Sequence, residues 1–450
     1  QFPLAVFRPI LWLERTKTAE AFMANTSTGH SNNVTIDDIV TTVVMARVTD
    51  FFGFFVYAIA SALVFPRLFF PMFDPVTATV MSFAVFSLAF LARPFASFAS
   101  RYVERKIGRA GKITLALMIL GSSTVAIGLL PGYDRIGVMA PIMLAALRFA
   151  QGIGLGGAWD GITLQLKSAA PKGREGLYGM VPQLGGPIGF CVAASLFFVL
   201  TGFLTEEEFY SYGWRFAFFA VLAVNVVSLF ARLRLLTADF GADETPLQSA
   251  PFKEMLGTQW RTIALSTFLP VASYALFHMV TVFPLSYTLL FTEYSMARII
   301  LYELFGGVLA CGAVVLSGVL ADRFTKRRVL RVSVALIPLL CLTIYTLDSY
   351  PWIYITFGFV VLGLAYGQSS SIVPKRFPAQ YRYSGSALSV NLSWIFGAAF
   401  APLCGLALAA YVGLWASALY LLSGALVTWI TLRILDRQLD ETGNQRVDRG

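Results

Sequence analysis

An all-α membrane protein is what this sequence predicts, with twelve transmembrane helices in two pseudo-symmetric six-helix bundles. Three observations carry that expectation. Apolar residues make up 57% of the 450, with 39 phenylalanines, a share outside the range of water-soluble domains. The apolarity is gathered into stretches of about 20 residues, the length at which a helix crosses a hydrocarbon layer of roughly 30 Å while satisfying its own backbone. Residues 100–109 (SRYVERKIGR) and 318–328 (GVLADRFTKRR) are imperfect copies of one pattern. Each lies where an apolar stretch ends, as expected if a duplicated protein repeats its turn.

In chain order the spans fall at 36–65, 76–100, 113–130, 138–166, 177–201 and 214–235, then at 263–291, 297–320, 329–347, 352–373, 384–410 and 414–435. Basic residues crowd alternate loops. Arg101, Arg105, Lys106, Arg109 and Lys112 follow the second span, Lys167, Lys172 and Arg174 the fourth, Arg323, Lys326, Arg327, Arg328 and Arg331 the eighth, and Lys375, Arg376 and Arg382 the tenth. The intervening loops carry few cations, and Thr205-Glu206-Glu207-Glu208, between the fifth and sixth spans, is acidic. Short Lys- and Arg-rich loops stay in the cytoplasm, so both termini are expected there. The net charge of +9 then follows from membrane orientation, and no nucleic-acid partner is needed to explain it. Gly185-Gly186-Pro187-Ile188-Gly189 in span five, and Gly363 with Gly367 in span ten, are small-residue runs that let helices approach closely and bend.

Residues 237–261 (TADFGADETPLQSAPFKEMLGTQWR) form the only sizeable polar interruption. The expected organisation is a cytoplasmic segment 1–35, a bundle 36–236, a cytoplasmic linker 237–262, a bundle 263–435 and a tail 436–450. Residues 1–22 lack the long apolar core and cleavage site of a signal peptide. Met23 with the polar run after it reads as a natural start, so the preceding residues are either an upstream extension or an amphipathic segment lying on the membrane surface. All four cysteines lie inside apolar spans without metal-ligand spacing, as small buried hydrophobes. A dinucleotide-loop reading of 152–157 (GIGLGG) fails because no strand precedes it. With no metal site, nucleophile triad or phosphate loop in view, neither an enzyme nor a cofactor is expected. Two similar bundles on one linker form a transporter plan, with the solute site between the halves near the bilayer midplane.

Several fragments, in order, resemble the metabolite:proton symporters of the major facilitator superfamily. Asp50-Phe51-Phe52-Gly53-Phe54-Phe55-Val56-Tyr57 and Phe69-Phe70-Pro71 resemble that family's first span and its end, Arg93-Pro94 the end of its second, and Leu147-Arg148-Phe149-Ala150-Gln151-Gly152 its fourth. Gly213-Trp214-Arg215, Phe377-Pro378-Ala379-Gln380-Tyr381-Arg382, Asn391 and Phe396-Gly397 continue the match through the second half. The resemblance implies carriage of organic acids, shikimate-like cyclic acids, or proline and betaine, usually driven by protons. It also implies an acidic gate in each repeated turn. In the second copy Asp322, Arg323 and Arg327 fit that pattern, with Thr325 where the family has Gly. In the first copy Arg105 replaces the acid, Glu104 stands one residue earlier, about 100° around a helix, and Arg109 follows. Simple positive-inside anchoring is the alternative for both.

At depth, an unpaired guanidinium costs several kcal/mol, so Arg148 should face a watery cavity, a carboxylate or an anionic solute. Gln151, Leu155 and Trp159 share its helical face, and an Arg fork offers two parallel donors to a carboxylate. Structural pairing between helices is the alternative. Tyr57, Tyr274, Asn391 and Trp394 are the remaining expected binding residues. Asp50, on one stripe with Gly53, Phe54 and Tyr57, leads for reversible protonation, with helix packing as its alternative. The family usually has acids where this chain has Gly53 and Ala158; Asp160, two residues past Ala158, is with His278 a reserve for the proton. His278 is the other candidate at depth, because an imidazole with a reference pKa of about 6.5 can pass protons; a core histidine satisfied locally is its alternative. Glu303, in the outer third of span eight, either couples protons or snorkels to the interface.

The expectation is a monomeric inner-membrane importer of a small organic anion with protons, both bundles embedded in lipid. A betaine or other zwitterion carrier, a proton-independent facilitator or exchanger, and a non-transporting sensor are the alternatives.

Overall fold

The computed structural model describes residues 36–158, 166, 170–237 and 252–447. Every regular element among them is helical. In chain order these are α1 (Ile36–Leu63), α2 (Pro75–Ala96), α3 (Tyr102–Leu129), α4 (Met139–Gly157), α5 (Glu175–Phe203), α6 (Arg215–Thr237), α7 (Lys253–Phe291), α8 (Met296–Arg323), α9 (Lys326–Leu342), α10 (Pro351–Ile372), α11 (Ala379–Tyr411) and α12 (Leu414–Val447). Among the described residues ten helices are long and apolar enough to cross a membrane, or eleven when α6 is joined to the short bent piece Glu206–Gly213 before it. The remaining one is α9, only 17 residues long and opening on Lys326, Arg327, Arg328 and Arg331.

The helix ends follow from local chemistry. Asp74 caps α2 by accepting the N–H groups of Val76 and Thr77 at 3.1 Å each, with Pro75 at the first helical position. The acidic run after α5 is a capping box, in which Thr205 and Glu208 satisfy each other's backbone N–H groups. Thr325 caps α9 through the Arg328 N–H.

Two stretches differ from the sequence expectation. The first basic repeat, expected as a turn, is mostly helix. The chain runs helically from Pro75 to Leu129 and turns its corner at Gly108 alone, whose φ of 74° is costly for a side chain with Cβ. Glu104, Arg105 and Lys106 are good helix formers, which leaves the glycine to break the run. The helix leading into α7 begins at Phe252, eleven residues before the expected apolar start, because residues 252–262 are polar but not helix-breaking. Calls on residues 1–35 and on most of the linker lie outside the described residues.

Each half repeats one close crossing. On α4, a Cβ at Gly156 would stand 2.6 Å from the Arg93 carbonyl of α2, and one at Gly152 would collide with the Ala89 carbonyl. On α10, a Cβ at Gly363 would stand 2.6 Å from the Ala310 carbonyl of α8. Only glycine allows these backbones to touch.

The halves meet through α5 on α8, α2 on α11, and a layer of rings from α1 and α7 between them. At the end carrying the basic loops, the Asp322 carboxylate accepts the Gly176 and Leu177 N–H groups at the start of α5. Lys326 donates to the Glu175 carbonyl at 3.0 Å, and Gln368 to the Gly176 carbonyl at 3.1 Å. Toward the opposite end, Thr77 and Tyr411 hydroxyls lie 3.2 Å apart and the Ser87 hydroxyl donates to the Ala399 carbonyl at 2.6 Å. Among the described residues the halves thus touch one another toward both ends.

Candidate functional site

Arg148 lies on α4 with 1% of its surface exposed. Its Nε donates to the Phe86 carbonyl at 3.2 Å and Nη1 to the Gln151 amide oxygen at 3.0 Å, while Nη2 is buried without a partner. Gln151 in turn donates to the Thr124 hydroxyl at 2.8 Å, so its amide is fixed from α3 and serves to orient the guanidinium. The guanidinium carbon stands 3.7 Å from the Tyr57 ring centroid and 4.8 Å from that of Phe86. Faces of that kind contribute about 0.5–2 kcal/mol each, but they do not neutralise a buried charge. Asn225 of α6 shares with Arg148, Gln151 and Asp50 a cavity of about 10 Å³, the room about one water molecule needs, and both polar atoms of its amide lack partners. A fork and an amide with free valences around one small space can seat an oxygen of an anion.

Beyond Phe54 and Phe86, the seam between the halves is aromatic. The His278 ring of α7 lies 5.3 Å from Phe54 and 5.1 Å from Phe86, and both its nitrogens are buried without a hydrogen bond. Tyr274 packs on Trp394 at 4.4 Å, Phe277 on Trp394 at 5.1 Å and on Tyr366 at 5.0 Å. Arg93 of α2 lies over Phe90 at 4.9 Å and over Trp394 at 5.4 Å. Asn391 is buried one turn before Trp394 on α11. The middle layer thus brings Arg93 of the first half against a ring of the second, while Phe54 and Phe86, which flank Arg148, also pack on the imidazole of the second.

Several expected residues stand elsewhere. Asp50, the leading proton group in the sequence reading, accepts from Arg232 of α6 at 2.7 Å and lies 3.7 Å from Arg47. Arg232 also donates to the Ala46 carbonyl at 3.1 Å, so in this conformation the carboxylate is held in a cluster joining α1 to α6. Glu303 does not snorkel: it is fully buried, and neither carboxyl oxygen has a partner. Helix α8 turns Leu301, Phe305 and Val308 outward instead. Trp159 and Asp160 lie outside the described residues.

In the second repeated turn Asp322 caps α5 and does not bridge to Arg323, which is exposed. A helix N-terminus offers a carboxylate both N–H donors and a favourable dipole. Arg327 lies 3.7 Å from Asp436 of α12, whose closer partner is Arg331 at 2.7 Å. In the first turn Glu104 pairs with buried Lys112 at 2.7 Å, Arg105 is exposed, and Arg109 is partly buried. At the start of α11, by the repeat's symmetry the counterpart of α5, Pro378 supplies no side-chain cap.

Sequence reasoning missed Arg93, Arg232 and Asn225. Arg93 had the same signal as Arg148, a cation inside an apolar stretch, but entered only as part of the family resemblance. Arg232 sits near the end of span six and meets Asp50 only through the fold.

Helical halves closed around a central layer of buried guanidinium groups and rings define a multi-pass membrane transporter. The sequence profile described as Major Facilitator Superfamily matches residues 50–393, and the chain belongs to that family. An inner membrane metabolite transport protein of Escherichia coli K12, YhjE, is 36% identical over 396 residues, covering 85% of this chain and 90% of the relative. The shikimate transporter and the proline/betaine transporter of the same strain are each 29% identical, covering 86% and 87% of this chain and 92% and 82% of theirs. Among solved structures, that of a D-xylose-proton symporter superposes with a TM-score of 0.65 at 15% identity, over 88% of this chain and 97% of that one, a likeness of fold. The chain is therefore a carrier of small metabolites and not an enzyme.

Proposed function

We propose that this protein imports a small carboxylate-bearing metabolite together with protons, by alternating exposure of the central layer. The observation that carries this reading is Arg148, a buried guanidinium whose partners are neutral and whose Nη2 has none. Burying a cation in that way is costly unless an anion arrives to share the site for part of the cycle. Arg93 adds a second positive charge to the layer. Asp50, which lines the same small cavity, is held by Arg232 and lies 3.7 Å from Arg47. Tyr57, Gln151 and Asn225 shape the first half's wall; Tyr274, His278, Asn391 and Trp394 shape the second's. The Asp322 clamp on α5 is the gate at the basic end, which by its loop charges faces the cytoplasm of a bacterial inner membrane. The protein works as a monomer, since each chain contains both halves.

The test is uptake of labelled shikimate, proline and glycine betaine into proteoliposomes under an inward proton gradient. At least one carboxylate should accumulate, and Arg148→Ala should lower its kcat/KM by tenfold or more, about 1.4 kcal/mol or more. Uptake that ignores the gradient and uncouplers would remove symport in favour of a facilitator. An unchanged kcat/KM in Arg148→Ala would remove the carboxylate seat.

The packed rings of Tyr274, Phe277, Tyr366 and Trp394 favour one second reading, a zwitterion whose carboxylate lies on Arg148 and whose ammonium lies on those faces. Competition by quaternary ammonium compounds lacking a carboxylate would support it.

A further inference from the structure

At its basic end the second half carries a cavity of about 470 Å³, between the start of α9, the turn after α10 and the end of α12. Lys326, Arg327, Arg328, Arg331 and Arg376 line it, against the single lining carboxylate of Asp436. That acid is already engaged, by Arg331 at 2.7 Å and Arg327 at 3.7 Å. Lys326 donates to the Glu175 carbonyl of α5 at 3.0 Å. Among the described residues no carboxylate pairs with Arg328 or Arg376, and the Arg376 Nε is buried without a partner. Asp436 lies about 33 Å along α12 from Leu414, just past a hydrocarbon layer of roughly 30 Å. The cavity therefore stands at headgroup level, with Ile372 and Leu435 as its apolar side.

Membrane orientation does not by itself ask for this arrangement. It needs cations somewhere in the loop, and has no use for cations of two separate elements converging on one hollow. Helix stability does not ask for it either, because Lys326, Arg327 and Arg328 fill the first turn of α9, the end where the dipole disfavours cations. The crowding has a cost at Arg376, whose pKa is pushed down to about 10 by burial, with the like charge of Arg327 adding to the shift. An anion in the cavity would remove that cost. We propose that this cavity is a phosphate site, taking either the headgroup of an anionic phospholipid or a soluble phosphate. Guanidinium forks match phosphate oxygens in pairs, and basic hollows between spanning helices at the cytoplasmic surface suit such headgroups. A phosphodiester brings one negative charge and a free phosphate up to two, so either offsets Arg328 and Arg376 without displacing Asp436. The apolar side accommodates the glycerol and first methylenes of a lipid. Lys326 borders the cavity and the α5 clamp alike, so an occupant meets the ammonium that joins the halves at this end. The site does not depend on which solute is carried.

The test uses the full-length protein in detergent and two probes, short-chain phosphatidylglycerol and inorganic phosphate. Each is titrated at constant ionic strength while the unfolding midpoint is read, with phosphatidylcholine of the same chain length as the blank. At least one probe should raise the midpoint saturably, and Arg328→Gln combined with Arg376→Gln should weaken its apparent affinity at least about tenfold. Arg105→Gln combined with Lys106→Gln removes the same charge from exposed positions of the first basic turn and should leave that affinity unchanged. Stabilisation by phosphatidylglycerol alone assigns the site to a lipid headgroup, and stabilisation by phosphate as well assigns it to soluble anions. Arg328→Glu, at an exposed side chain, repeats the measurement if the half-buried Arg376 does not tolerate change, and should also abolish the shift. No saturable shift with either probe, an affinity unmoved by the Arg328 and Arg376 variants, or an equal loss in both double variants would overturn the proposal. Equal loss would mean that basic turns attract anions in general and that the cavity adds nothing.

Discussion

Asp50 and Arg232 show how the first half tolerates charge at depth. The guanidinium is buried, the carboxylate keeps 16% of its side-chain surface exposed, and they meet at 2.7 Å. Removing one partner from a pair of this kind strands the other, at about 3–5 kcal/mol. Asp50→Asn should therefore lower the unfolding midpoint of the detergent-purified protein clearly, and Asp50→Leu combined with Arg232→Met should regain most of the loss. Equal destabilisation by the single and double variants would mean that the pair is not the source. Residues of this type mark the limit of reading a sequence. Arg148 was legible because a cation surrounded by apolar residues signals itself locally. The hold on Asp50 was not, because its partner is 182 positions away and only the packing of α1 on α6 brings them together. Glu303 was legible as an acid in a span, whereas the lack of a hydrogen-bond partner depends on what the neighbouring helices fail to supply.

The clamp on α5 is a property of elements. Asp322 at the end of α8 caps the first turn of a helix from the other half, with Lys326 and Gln368 holding the adjacent carbonyls. A capping carboxylate contributes about 1 kcal/mol, enough to shift a balanced equilibrium several-fold. Asp322→Ala should therefore favour the state open at the basic end. In a background without native cysteines, a cysteine at Ser371, which is buried beside Gly179, should then react faster with maleimide; an unchanged rate would show that the clamp does not set the balance. Helix starts such as Pro75 after Asp74 and the Thr205 capping box lie in the sequence as local chemistry. The corner at Gly108 and the early start at Phe252 do not, since polar helix formers look alike in a loop and in a helix that protrudes from the membrane.

At the scale of the molecule, the duplication seen in the two basic turns reappears as paired glycine crossings, α4 on α2 and α10 on α8, a tight packing within each half that suits the proposed rocking of one half against the other. Tethering them at the end away from the basic loops should stop transport. Thr77→Cys joined to Tyr411→Cys by a short bifunctional thiol reagent, at positions whose native hydroxyls lie 3.2 Å apart, should abolish uptake until the link is cut; full activity while linked would refute the rocking motion. The aromatic middle layer has a further consequence. Two voids among the described residues of that layer, one beside Phe55 and Tyr366 and one beside Arg148 and Asn225, hold only about 10 Å³ each, too little for a file of waters along which a proton could hop. A resting carrier sealed with rings is an electrical insulator, so many copies can sit in one membrane without short-circuiting the ion gradients across it.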